Sequence, residues 1–371
     1  MGHSGDPGHA NQPSRLSPAS DPMKAITFQD VGRIEVSDVP EPVVLEDTDA
    51  IVDVSAAGLC GSDLHPFLGR ERGIDAGTIM GHEFVGRVVT VGDGVTAFRA
   101  GDRVVAPFST NCGACFFCRS GLTARCEKGQ LFGWIEDGVG LHGGQAQRVR
   151  VPLADSTLVP VPAEIRDDAL ALLAGDILST AIFGAKLAGV GEGDRVVIVG
   201  CGPVGLLAIR ACLAQGAQKV FAVDRVASRL DLAARFGALP VHLERDDPLT
   251  LVQGHTDGRG ADRSIEAVGT AEATRVAADL LRAGGSIAAL GVHTEPHLAL
   301  SPGEIYDRNL HYAGGRAPVR HLMPEALRFA ESEASLLEAL ISHRMPLTEG
   351  KEAYRMFSER QEGCTKVVLL P

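Results

Sequence analysis

The chain has 371 residues, with 45% hydrophobic and 22% charged residues and a net charge of −12 at neutral pH. This length exceeds what one hydrophobic core usually organises, so two domains are expected, and the composition excludes wholesale disorder. An acidic chain without a basic run argues against nucleic acid or an anionic membrane face as partner, and the longest apolar stretch, 196–209, is broken by glycines and a proline.

Residues 1–22 are half Gly, Pro and Ser and carry no apolar stretch, so they read as a disordered extension or an expression remnant, with Met23 a natural start. From 23 to about 175 the pattern is short strands and turns, with β-type runs at 50–55, 84–91, 103–106 and 146–151. At Asp176 the texture changes. A helix is expected over 176–189, with Asp176 as its cap. Buried-strand runs follow in RVVIVG (195–200), KVFAVD (219–224), ADRSIEAVG (261–269) and GSIAALG (285–291), separated by helical segments near 203–215, 226–237 and 271–282. Continuous apolar strands alternating with helices imply a doubly wound parallel sheet of the Rossmann type, an α/β architecture. Beyond 318, helices are expected over 324–343 and 350–360, then a strand over 365–370.

Gly200, Gly202 and Gly205, in GCGPVG with Pro203 and Val204, form a G-x-G-x-x-G between an expected strand and helix. Such a turn lets backbone approach a pyrophosphate and presents free N–H groups at the helix start. The next strand ends at Asp224, 19 residues beyond Gly205. A carboxylate there accepts from ribose hydroxyls and repels a 2′-phosphate, which favours NAD over NADP. Arg225 and Arg229 lie where a phosphate could also be met.

Four of the eight cysteines, Cys112, Cys115, Cys118 and Cys126, fall within fifteen residues. No secretory signal is evident, so a reducing cytoplasmic location is expected, where clustered cysteines indicate metal. The spacing suits a closed tetrahedral zinc site with a structural role; an iron–sulfur cluster is the rival reading. Further metal-ligand types occur at Cys60, His82, Glu83 and Asp176. Taken singly, each has a plain alternative: a small buried hydrophobe, a core histidine, a helix cap.

In combination, CGSDLH (60–65), GHEFVG (81–86), GDRV (101–104), the four-cysteine lobe and VGCGPVG (199–205) resemble the zinc-dependent medium-chain alcohol dehydrogenases, over nearly all of 24–371. The resemblance implies a GroES-like catalytic domain from 23–175 plus 318–371, with a Rossmann domain, 176–317, inserted. It implies two zinc ions per chain, Cys60, His82 and Asp176 holding the catalytic one, with Glu83 a nearby carboxylate able to coordinate it. Asp176 stands where many members carry cysteine. Ser62 matches the hydroxyl that touches the substrate oxygen, and His65 the outer end of a proton relay. Thr180, Leu290 and Val292 map to the nicotinamide side, Val268 to the adenine side, Arg229 to the cofactor, and Lys366 to an arginine that reaches the pyrophosphate. Gly61 stands where some relatives carry a phosphate-binding arginine. The implied reaction is hydride transfer between an alcohol (primary, secondary or polyol) and NAD, in a homodimer or homotetramer with 285–291 and the segment after it at the interface. A zinc-free NADPH quinone or enone reductase on the same scaffold is the alternative, and a non-enzymatic zinc module a third reading.

Overall fold

The computed structural model describes residues 22–293, 296–361 and 363–371; the expected extension lies, except for Pro22, outside them. Six strands form one all-parallel sheet in the spatial order Leu239–His242, Lys219–Asp224, Arg195–Val199, Ala261–Glu266, Leu281–Ala289, His311–Gly314. Val196 to Val199 are all buried, as a strand covered by helices on both faces requires. The chain starts at the centre, runs outward in one direction, returns, and runs outward in the other. The reversal lies between Arg195–Val199 and Ala261–Glu266, the crevice where such sheets bind ligands at their carboxyl ends.

The second sheet has seven strands. Six lie in the order Ile341–Pro346, Lys366–Leu370, Ala50–Gly58, Phe84–Val91, Arg103–Val105, Val159–Pro160, and Arg148–Val151 pairs with Ala50–Gly58. The last strands of the chain therefore close onto its first quarter, which brings Lys366 beside the 58–60 segment. Helix Ile177–Ala188 lies between the two sheets' territories, against helix Pro203–Ala214, helix Val319–Ser332 and strand Leu281–Ala289. One continuous core runs from Val85 and Val105 through Leu172, Ala181 and Ile182 to Ile198 and Ile265.

Four expectations need correction. The helix expected over 324–343 runs Val319–Ser332, with Pro324 inside it, and the chain then forms strand Ile341–Pro346. That strand exists because Lys366–Leu370 supplies a parallel hydrogen-bonding partner, which local sequence cannot announce. Second, the helix expected to 282 stops at Asp279, and the following strand begins at Leu281, with its register to Ala261–Glu266 shifting between Leu281 and Ser286. Third, no strand is expected after GSIAALG in this sheet, yet His311–Gly314 pairs beside it and forms the edge. Fourth, Asp168–Ala188 is long and apolar enough to cross a membrane, but 78% of its most apolar window is buried, and the run breaks into two helices at Gly175–Asp176. Burial against protein over most of its surface accounts for its apolar character.

Candidate active site and dinucleotide cleft

Cys60, His82, Glu83 and Asp176 come from three separate places in the chain and meet: one donor atom from each lies within 4.8 Å of all the others. Cys60 follows strand Ala50–Gly58, and His82 and Glu83 immediately precede Phe84–Val91. The antiparallel pairing of these two strands, with Ala57 opposite Phe84, sets them side by side. Asp176 occupies the cap position of helix Ile177–Ala188, but its side chain makes no capping bond. It turns instead toward the cluster, where Oδ2 lies 3.4 Å from both Cys60 Sγ and His82 Nε2. A polar side chain that forgoes its cap has another partner.

The ionisation of the group follows from packing. Burial raises the Cys60 thiol, and the Asp176 and Glu83 charges add to it. Burial opposes a charge on His82, yet Asp63 and Asp176 outweigh it and raise its pKa well above the usual value. The Asp176 carboxyl is lowered, since the His82 hydrogen bond overcomes the cost of burial. His82 points Nε2 into the cluster and Nδ1 at Asp63 Oδ1, 3.3 Å away. A carboxylate behind a histidine is the arrangement that fixes a ligand's ring orientation. Asp63 is itself held: its Oδ2 accepts from Cys60 N at 2.9 Å and Gln145 Nε2 at 3.1 Å, and Tyr354 donates to Gln145 Oε1 at 2.8 Å.

Glu83 is fully buried. Its Oε2 pairs with the Lys366 ammonium, and its Oε1 has no hydrogen-bond partner. A buried carboxylate oxygen without a partner costs free energy unless something else takes it up. Together with thiol, imidazole and a second carboxylate, this orphan oxygen fits a zinc ion. Gly58 makes room for Glu83, because a Cβ there would lie 1.9 Å from Oε2.

Lys366 corrects the sequence reading. It does not reach toward a pyrophosphate: it is fully buried, and its Nζ is committed to Glu83 and, at 2.9 Å, to the Leu59 carbonyl. Strand pairing of Lys366–Leu370 beside Ala50–Gly58 turns the side chain inward. Ser62 Oγ stands 3.2 Å from Cys60 Sγ and 3.2 Å from His82 Nε2, inside the cluster. His65 is half-buried with Nδ1 unpartnered, and no direct hydrogen bond joins it to Ser62 among the described residues.

Cys112, Cys115, Cys118 and Cys126 also bring their sulfurs within 4.8 Å of one another. Backbone N–H groups point at the sulfurs: Cys112 N to Cys126 Sγ (3.2 Å), Cys115 N to Cys112 Sγ (3.3 Å) and Cys118 N to Cys115 Sγ (3.5 Å). Donors aimed at sulfur favour thiolate. Cys115 is lowered to about 6, chiefly by the Glu127 backbone N–H, while burial pushes Cys118 up to about 12. The four sulfurs can occupy every position of a tetrahedral ion.

In the glycine-rich turn, a Cβ on Gly205 would lie 1.8 Å from the Gly200 carbonyl, whereas Gly202 faces open space. Gly205 therefore lets helix Pro203–Ala214 pack on its strand, and Gly202 leaves the helix start accessible. Asp224 Oδ2 accepts from Cys201 N at 2.7 Å, and Oδ1 accepts from Arg225 N and Val226 N, so the turn and the strand end are locked together. Arg225 is drawn aside by Glu244 and Glu272. Arg229 borders a cleft of about 230 Å³ that Ser228, Gln361, Cys364 and Thr365 also line. Thr180 Oγ1 lies 3.4 Å from Asp176 Oδ1. Val268 and Val292 are about half exposed at the sheet's carboxyl edge, and Leu290 tucks against Gly184 of helix Ile177–Ala188.

Asp63, Gln145 and Tyr354 escaped the sequence reading. Asp63 was findable, being three residues from Cys60 in a turn; Gln145 and Tyr354 carried no local signal.

Comparison with known proteins agrees with the fold. Residues 46–163 match the alcohol dehydrogenase GroES-like domain, and residues 203–332 match the zinc-binding dehydrogenase domain. A medium chain reductase/dehydrogenase, ucsI, of Acremonium sp. is 49% identical over 279 residues, which is 73% of this chain and 94% of that protein. The solved alcohol dehydrogenase TADH from Thermus sp. ATN1 superposes with TM-score 0.88 at 36% identity, covering 94% of this chain and 99% of that one. A structure from Sinorhizobium meliloti 1021, described as a zinc-binding dehydrogenase bound to NADP, gives TM-score 0.83 at 28% identity over 95% and 100% of the chains. This chain belongs to the zinc-dependent medium-chain alcohol dehydrogenase family. It is an alcohol-dehydrogenase-type oxidoreductase with a GroES-like domain and a Rossmann domain.

Proposed function

We propose that the protein is an NAD-dependent alcohol dehydrogenase with two zinc ions per chain, interconverting a primary, secondary or polyol alcohol and its aldehyde or ketone. The carrying observation is the convergence of Cys60, His82 and Asp176 around the partnerless Glu83 oxygen. Zinc held by these residues supplies a Lewis acid that lowers the pKa of an alcohol hydroxyl. Cys112, Cys115, Cys118 and Cys126 hold the second ion, which keeps a loop folded. The catalytic unit comprises 23–175 and 318–371, and 176–317 forms the cofactor unit.

The chain's own groups then orient substrate and move the proton. Ser62 Oγ accepts the hydroxyl proton and passes it toward His65, one further hydroxyl or water completing the path. Asp63 keeps the His82 ring in place from behind. Burial lowers the pKa of His65, which keeps its imidazole neutral and able to accept. Thr180, Leu290 and Val292 border the nicotinamide; Val268, on the loop after strand Ala261–Glu266, is placed with them rather than on the adenine side that the resemblance implies. NAD is favoured over NADP because Asp224 sits where a 2′-phosphate would come, while Arg225 is occupied by two glutamates. Arg229, whose charge acts on the Cys201 thiol in the glycine turn, is assigned to the cofactor. Assembly as a homodimer or homotetramer through 285–291 and the segment after it belongs to the same proposal, and the unpaired outer side of edge strand His311–Gly314 among the described residues supports it.

The test combines metal analysis with a screen of alcohols, diols, sugars and aldehydes against NAD and NADP. Two zinc ions per chain and NAD-linked turnover are expected. A zinc-free protein that reduces quinones or enones with NADPH would overturn the proposal.

A further inference from the structure

At the carboxyl edge of the parallel sheet, one buried carboxylate organises more backbone than any strand there requires. Glu266 ends strand Ala261–Glu266 in the middle of the sheet, with no exposure at all and no lysine or arginine partner among the described residues. Its neighbour Ile265 is an ordinary buried aliphatic residue, and an aliphatic side chain at 266 would satisfy the sheet equally well. A carboxylate in that position is costly unless hydrogen bonds compensate it.

The compensation comes from two loops. Oε1 accepts from Val268 N and Gly269 N, both at 2.7 Å, and Oε2 accepts from His293 Nε2 at 3.0 Å. The Glu266 backbone carbonyl takes Leu290 N at 2.8 Å and Gly291 N at 3.3 Å. One residue thus binds the loop after its own strand and the loop after the neighbouring strand. These loops also touch each other directly. A Cβ on Gly269 would lie 2.6 Å from the Val292 carbonyl, and one on Gly291 would lie 2.0 Å from Gly269 N. Gly269, at φ +89°, is also in a region that favours glycine. The half-exposed Val268 and Val292 side chains stand on this double layer, beside the crevice where the strand order reverses.

In a doubly wound sheet each three-strand half takes one mononucleotide. Asp224 marks the first half as the adenosine side, which leaves the strands Ala261–Glu266, Leu281–Ala289 and His311–Gly314 to the nicotinamide half. We propose that Glu266, with His293, is a positioning residue that holds the 267–269 and 290–293 loops as one rigid wall for the nicotinamide half of the cofactor. The inference rests on the dinucleotide reading above and adds a residue to which that reading gives no role.

The test is fluorescence titration of NADH, with AMP as a probe of the adenosine half alone, on the zinc-loaded wild type, Glu266→Ala, Glu266→Gln and His293→Ala. Glu266→Ala should weaken NADH about tenfold or more and change AMP less than twofold. Glu266→Gln should regain most of the loss, because an amide oxygen still accepts from Val268 N and Gly269 N. His293→Ala, which removes one bond of three, should weaken NADH about threefold and leave AMP alone. Equal losses for NADH and AMP would reduce Glu266 to a general structural residue and overturn the inference, as would unchanged NADH binding in Glu266→Ala. Should that variant not fold, the decision passes to His293→Ala, where unchanged NADH binding is the overturning result. A wild type that bound AMP but neither NADH nor NADPH would end the dinucleotide reading itself, whereas wild-type binding that the variants leave intact ends this inference alone.

Discussion

The two ligand clusters are built in opposite ways. Cys112, Cys115, Cys118 and Cys126 come from one stretch of fifteen residues, are only half-buried, and receive hydrogen bonds from their own backbone. Cys60, His82, Glu83 and Asp176 come from three regions spread over more than a hundred residues, and three of the four are buried. A local loop shapes the first; two paired strands and a helix must be assembled before the second exists. The first cluster can accordingly close a tetrahedral coordination sphere with its four sulfurs. The second keeps a hydroxyl, Ser62, and an unsatisfied oxygen within its walls. On the proposed reading, the closed cluster holds structure and the incomplete one meets substrate.

The sharpest way to break this contrast is His82→Ala. It should lower alcohol oxidation at least about 10³-fold and reduce zinc from two to one per chain, while NADH binding stays within a few-fold. Retained turnover in that variant would remove His82 from the chemistry. Next in size is Lys366→Met, which leaves Glu83 buried without its cation. Destabilisation of about 3–5 kcal/mol is expected in denaturant unfolding, much of it recovered in Lys366→Met/Glu83→Gln. If the double variant is no more stable than the single one, the pair is not what makes Lys366 necessary.

Cys112→Ser addresses the other cluster. Its melting temperature should fall by about 5 °C or more, with activity per zinc-loaded active site preserved, because a structural ion contributes folding energy. Unchanged melting together with lost activity would reverse the division of labour between the clusters. His65→Ala should reduce turnover about 10- to 100-fold near neutrality. Burial depresses the His65 pKa below its ordinary 6.5, so the imidazole is neutral above that lowered value and becomes protonated as pH falls through it. The wild-type rate should therefore show an acid limb below pH 6.5 that is absent from His65→Ala; a limb that persists assigns the relay elsewhere. The smallest effect concerns Gly61, which is exposed and has open space where a side chain would go. Gly61→Arg should tighten NADH about three- to tenfold, measured by titration, and unchanged affinity would show that no phosphate lies within its reach.

Sequence reading located Phe84–Val91, Arg103–Val105, Arg148–Val151, Arg195–Val199, Lys219–Asp224, Lys366–Leu370 and the Gly200–Gly205 turn to within a residue or two. It gave no strand at Pro22–Asp30, Arg33–Pro40, Leu239–His242 or His311–Gly314, whose pattern is shorter or less apolar. It also assembled the donor residues by their resemblance to a family, when spacing alone left each with a plain alternative. Its errors share a cause. Ile341–Pro346 has a weak pattern and becomes a strand only through its neighbour. Lys366 looks like a ligand-facing cation until strand pairing turns it toward Glu83. Gln145 and Tyr354 support Asp63 from positions 82 residues and nearly three hundred residues away along the chain, with no motif to mark them.

What the amino-acid order settled unaided was local: the four-cysteine loop, the glycine turn with its following helix, and the alternation that dictates a parallel sheet. These depend on contacts between near neighbours, or on a periodicity that any short window displays. Which oxygen of Glu83 stays free, where the Lys366 ammonium goes, and whether Asp176 caps its helix or turns away were decided only when distant strands paired, because burial and counter-charge are properties of the folded surroundings and not of a position in the chain.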